Sequence, residues 1–372
     1  MTAQGAVSGT LVDHVLAYQA AQFDGAEREA AQRFTSEFLR RVPTEELATR
    51  TAADWAALVA DLRAFMAVRE VGRPKVRVFN PPADSERARA ARTVVEVVTD
   101  DMPFLVDSVG MAITAAGLQI HCIIHPVFRV ERDAQGNLLS FGTLEGGGGS
   151  AESVMHFEID RMPEAAGMAQ LAPALMAVLE DVRVSVADWE PMRERMLAVA
   201  DELGRRKLPI DAEGVAEAQA FLRWAADDNF TFLGYREYAV VKSGNDEVLQ
   251  AVEGSGLGIL HGSERSLAPR SLRTLVATSL PQSGAMDAII ITKTNARASV
   301  HRPGYMDYIG VLAFDDAGIP VGEQRFLGLF TSNAYMARPQ DVPLVRRKVA
   351  AVMQRSGLRP DSHSGKALRH VL

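Results

Sequence analysis

The 372 residues are 47% hydrophobic and 23% charged, the balance of an ordinary globular chain of two or three domains. Forty lysines and arginines against 47 acidic residues give a net charge of −7, which argues against the broad basic surface that nucleic acid requires. A single cysteine, Cys122, excludes an internal disulfide framework and a thiolate zinc site. The first residues lack the basic and apolar regions of a leader. No segment reaches the roughly 20 unbroken apolar residues of a membrane helix, so a cytoplasmic chain without membrane contact is expected.

Residues 1–71 read as helices. Trp55, Leu58, Val59, Leu62, Phe65 and Met66 keep the i, i+3, i+4, i+7 spacing of one buried face. Thr51 precedes Asp54 by three positions, a capping start. Phe34, Phe38 and Val42 form a shorter stripe. Residues 72–91, with Gly72, Pro74, Pro81 and Pro82, read as a linker.

Thr93–Thr99 is a β-branched run of strand length. Asp101 is placed to cap a helix with Pro103 in its first turn, and Gly117 to end that helix in a left-handed turn. Ile120–Val130 is a second strand, in which Cys122 reads as a buried small hydrophobe. Asp133–Asn137 is turn chemistry, Gly146–Gly149 a flexible loop and Val154–Ile159 a further strand. A helix through Leu171, Leu175, Val178 and Leu179 and a last strand, Val182–Val186, complete a βαββαβ order with an extra hairpin edge. That order predicts a small sheet with two helices on one face over residues 92–189.

Residues 190–229 read as a helical connector whose second helix starts at Asp211. Phe230–Val241, Glu247–Val252, Ala288–Thr294, Asp307–Phe314 and Gln324–Thr331 then read as five strands of an antiparallel sheet over 230–335. A final helix lies in 336–372. The end of the chain, Ala367–Leu372, has no polar tail, so a longer natural polypeptide is expected.

Asp101-Met102-Pro103-Phe104-Leu105-Val106-Asp107-Ser108-Val109 resembles the strand-to-helix turn of an ACT domain, a regulatory module that binds amino acids. Its continuation through Ile120-His121-Cys122-Ile123-Ile124-His125-Pro126-Val127-Phe128 is similar to the amino-terminal part of the large NAD-dependent glutamate dehydrogenases. So is Leu222-Arg223-Trp224-Ala225-Ala226-Asp227-Asp228-Asn229-Phe230 with Thr231-Phe232-Leu233-Gly234-Tyr235-Arg236-Glu237-Tyr238. The resemblance covers roughly residues 90–335. It implies an α+β chain: helical segment, ferredoxin-like ACT-like domain, helical connector and PAS-like domain. It also implies that the full-length protein oxidises glutamate to 2-oxoglutarate, with NAD bound in a catalytic region beyond this chain. No cofactor is expected in these residues, whose partners are the remainder of the same polypeptide, further copies of it and an amino-acid or metabolite effector. Ligand-binding ACT modules usually carry glycine after the turn proline, where ligand nears the backbone. Phe104 stands there instead, and either blocks that approach or fills the site, which favours a ligand-free assembly role.

No dehydrogenase fingerprint is legible. Gly254-Ser255-Gly256-Leu257-Gly258 lacks the third glycine at the right spacing and a following helix. His121 and His125, four apart on a strand, are about 13 Å apart and too distant for one metal. Asp227 and Asp228 lack a partner set for acid–base work. His301-Arg302-Pro303-Gly304-Tyr305 offers a cation, a ring and a turn, the composition of a small anion pocket. The expected effector residues are therefore Asp101, Phe104, Asp107 and Ser108 at the turn, with Lys293, Arg297, His301, Arg302, Tyr305 and Arg325 around the second region.

Overall fold

The computed structural model describes residues 3–82, 92–142, 148–205, 208–244, 246–262, 287–359 and 361–371. Gly146 and Gly147 of the glycine-rich segment and residues 83–91 of the expected linker lie outside this set. The chain forms two compact units, Met1–Val182 with Ser299–Arg302, and Arg183–Ala298 with Pro303–Leu372.

The first unit opens with α1 (Ala3–Gln22), α2 (Gly25–Arg40), α3 (Thr44–Leu47) and α4 (Ala52–Met66). Thr51 and Asp54 form a reciprocal capping box at the start of α4, satisfying two orphan N–H groups. Next come β1 (Lys75–Phe79), β2 (Arg92–Asp100), α5 (Leu105–Ala115), β3 (Ile120–Ile124), β4 (Val127–Arg132), β5 (Leu138–Gly142), β6 (Ser150–Asp160) and α6 (Ala165–Ala187). The sheet is antiparallel in the order β1-β2-β6-β4-β5, with β3 also pairing β6. Ile120–Val130 is thus two strands along one partner, parted at His125-Pro126 because proline has no N–H to give the ladder. The expected hairpin edge is β4–β5, whose turn is held by Asp133 accepting from Gln135 and Asn137.

Two expectations change here. Val182–Val186 is not a strand but the last part of α6. Leu171, Leu175, Leu179 and Val182 are all buried, and this i, i+4, i+8, i+11 stripe carries the helix through a β-branched run, tertiary packing overriding local propensity. The edge beside β2 is occupied by β1, from residues read as linker. The βαββαβ order therefore lacks its last strand.

Val98, Ile124, Phe128 and Val154 pack with Phe34, Phe38, Trp55, Leu58 and Leu62 in one core, so the helical segment covers one sheet face. Val95, Val97, Phe157 and Ile159 alternate to the other face and are fully buried, the face closed by α5 and α6. Burial on both faces explains the unbroken apolar run of β2. Helix α6 has the length and mean hydropathy to cross a membrane. Its buried stripe together with Glu180, Asp181 and Arg183 fits a helix of a protein core.

The second unit contains α7 (Trp189–Arg205), α8 (Ala212–Trp224), a π-turn (Ala225–Asn229), β7 (Phe230–Ser243), β8 (Asp246–Ala251), β9 (Leu257–Gly258), β10 (Ile289–Arg297), β11 (Tyr305–Phe314), β12 (Pro320–Phe330), α9 (Ser332–Met336), α10 (Val345–Ser356) and α11 (His363–Val371). Asp211 caps α8 by accepting from the Gly214 N–H at 2.5 Å. The sheet is antiparallel, ordered β10-β11-β12-β7-β8, and β9 pairs β7. Met192, Met196, Phe221 and Leu222 of the two helices pack on Tyr235, Ile309, Val311 and Phe326.

Candidate functional site

The turn after β2 does not begin as expected. The Asp101 N–H donates to the Ala151 carbonyl at 2.9 Å, so Asp101 still extends the β2–β6 ladder and does not cap α5. Its carboxylate accepts from Ser153 Oγ at 2.5 Å, and His125 Nε2 lies 2.9 Å from the same hydroxyl. Burial lowers the His125 pKa, opposed by the Asp101 charge. This trio is no hydrolytic triad: the Ser153 hydroxyl donates to the Asp101 carboxylate and not to the imidazole, and Ser153 is fully buried.

The residue preceding α5 is Phe104, in the left-handed region at φ 73° and with no side-chain cap. That conformation is costly for a bulky residue and usually belongs to glycine. The Phe104 ring lies 4.7 Å from the His301 ring, centroid to centroid, and His301 is itself left-handed at φ 75°. The His301 N–H donates to Ser108 Oγ at 3.2 Å. Ser108 is fully buried on α5, whereas Asp107 is exposed. Burial lowers the His301 pKa, with the Arg302 charge adding to it and Asp107 opposing.

The expected effector residues thus divide. Phe104, Ser108 and His301 touch, with Asp107 and Arg302 beside them, and all belong to the first unit. Asp101 lies in the same unit on the β2–β6 ladder, whereas Lys293, Arg297, Tyr305 and Arg325 lie in the second. Lys293 Nζ pairs with Asp307 Oδ1 at 2.7 Å, Arg297 stacks on Tyr305 at 5.2 Å, and Arg325 is buried with Glu323 at 2.8 Å and the Tyr238 ring at 3.9 Å. A cavity of about 770 Å³ lined by Arg236, Leu249, Gln250, Glu253 and His261 includes none of these. Its rim contains Gly254 and Gly256 of the glycine-rich stretch, which turns into β9 against β7 and opens no helix.

Sequence reasoning missed a buried ionic network between the first sheet and its helical cover. His156 Nδ1 lies 3.0 Å from Glu96 Oε1, and its Nε2 lies 3.4 Å from Glu158. Arg50 and Arg92 pair with Glu158, and Arg77 with Glu96. Burial alone would raise the Glu158 carboxyl, but the His156 hydrogen bond and the Arg50 charge bring it to about 2. Burial likewise opposes the charged His156, yet its two carboxylates raise its pKa. Alternation did not reveal this network because Glu96 and Glu158 sit in runs read as strand with no sign of their depth. Among the described residues no group of three or more His, Cys, Asp or Glu side chains is placed to hold a metal. His121 instead pairs with Asp160 at 2.8 Å, and Asp227 and Asp228 lie in the irregular π-turn.

Residues 34–175 match the family model described as glutamate dehydrogenase, ACT1 domain, and residues 342–372 match glutamate dehydrogenase, helical motif 1. The chain is 35% identical over 343 residues to an NAD-specific glutamate dehydrogenase of Halomonas elongata, covering 91% of this chain and 21% of that protein. The NAD-specific glutamate dehydrogenase of Pseudomonas aeruginosa is also 35% identical, with the same coverage. That of Mycobacterium tuberculosis is 28% identical over 75% of this chain and 16% of its own length. The chain spans about a fifth of the length of the first two relatives. The two domain matches and the 35% identity over 91% of its residues identify the chain as an amino-terminal region of the NAD-specific glutamate dehydrogenase family.

Proposed function

We propose that the chain is the regulatory and architectural region of a large cytoplasmic NAD-dependent glutamate dehydrogenase. The full-length polypeptide oxidises L-glutamate to 2-oxoglutarate and ammonia, with NAD held outside these residues. The observation that carries the architectural part is the ACT-type turn filled by Phe104 and His301, which leaves the module to position the rest of the polypeptide and its further copies. The antiparallel second sheet, backed by α7 and α8, supports the PAS-like reading. Lys293, Arg297 and Tyr305 on its β10–β11 edge form a contact surface for the remainder of the chain, while Arg325 is internal. An amino-acid effector, where one acts, acts at Asp101–Ser108.

The test compares glutamate-dependent NADH formation by the full-length protein and by this chain alone. Turnover is expected from the first and not from the second. Turnover by the chain alone overturns the proposal, as does a full-length protein inert toward glutamate.

A further inference from the structure

Ser299–Arg302 belongs to the first unit although its chain neighbours on both sides belong to the second. Two hydrogen bonds and a ring contact hold it. Ser299 Oγ donates to Asp181 Oδ2 on α6 at 2.7 Å. Val300 is fully buried. The His301 N–H donates to Ser108 on α5 at 3.2 Å, and its ring meets Phe104. The segment is thus fastened to both helices that close one face of the ACT-type sheet.

The local chemistry says what this segment displaces. Phe104 supplies no cap, so the first N–H groups of α5 keep the polarity that attracts a carboxylate. Asp101 and Asp107, close by in sequence and both exposed, offer acceptors for an ammonium. Over the same turn lies an imidazole whose buried Nδ1 has no hydrogen-bond partner among the described residues. Two bulky residues in left-handed conformations meet ring to ring, and such strain persists only where surrounding contacts enforce it.

We propose that Ser299–Arg302 is a built-in strap that occupies the ACT-type turn and excludes free α-amino acids until it is displaced. The proposal rests on the ACT-type reading of the turn and adds its regulation. Closure comes from the strap and Phe104 together. A chain without these two rings at the turn therefore binds an amino acid that the natural chain refuses.

Two measurements on the 372-residue chain test this. In native-state hydrogen exchange the His301 amide is expected to be protected, and Ser108→Ala to speed its exchange by about tenfold while amides of β2 and β6 keep their rates. In thermal denaturation with glycine, L-serine and L-glutamate as probes, wild type is expected not to shift. The Phe104→Gly/His301→Gly variant, whose glycines suit both positive φ values, is expected to shift with at least one probe. An unprotected His301 amide in wild type overturns the strap. Equal behaviour of wild type and double variant, both shifting or neither shifting, overturns the exclusion. Neither outcome bears on glutamate turnover by the full-length protein, so failure of the strap and failure of the functional proposal remain distinguishable.

Discussion

Glu158 and His156 give the molecule a defined response to pH. Glu158 titrates lower in the fold than in an unfolded chain, at about 2 against 4.5. Its contribution is present above its ordinary value and is lost as pH falls toward 2. His156 is raised, so its contribution is complete below 6.5 and is lost as pH climbs through the raised value. Melting temperature followed against pH should therefore fall at both ends, and Glu158→Gln should flatten the acid limb between about 4.5 and 2. An acid limb unchanged in this variant contradicts the assignment. Gly136 gives a second expectation: at φ 83° a Cβ would stand 2.2 Å from the Arg69 carbonyl oxygen. Gly136→Ala should cost roughly 1–3 kcal/mol in urea unfolding.

Among the elements, those fixed by local chemistry were legible in sequence. The Thr51–Asp54 box, the helix start at Asp211, the Asp133 turn and the Gly117 stop at φ 80° stand where the residues put them. Thr51→Ala should lose about 1 kcal/mol, read by thermal denaturation. The elements that escaped reading depend on distant partners. Lys75–Phe79 becomes a strand only because β2 offers it an edge, and Val182–Val186 stays helical because the Leu171 stripe is buried. Asp101 resembled a cap, but its N–H is claimed by Ala151 in the ladder. At the candidate site, Phe104 was singled out from the turn motif alone. Its meeting with His301 was not legible, because Ser108 and His301 are 193 residues apart and no local pattern links them.

At the scale of the whole molecule, one unit is built on an ACT-type sheet covered on both faces and the other on an antiparallel sheet backed by helices. The buried arginine Arg69, paired with Glu152 at 2.8 Å and Asp100 at 2.5 Å, fastens the first sheet to the residues following α4. Arg69→Met removes that buried cation while Glu152 keeps Arg132 at 2.6 Å, so the change loosens the first unit without leaving Glu152 uncompensated. The decisive measurement is made on the full-length protein carrying that change: its mass in solution by light scattering, with its KM for NAD. The account predicts altered assembly with an unchanged KM for NAD. Unaltered assembly with a changed KM would place this region at the active site and contradict it.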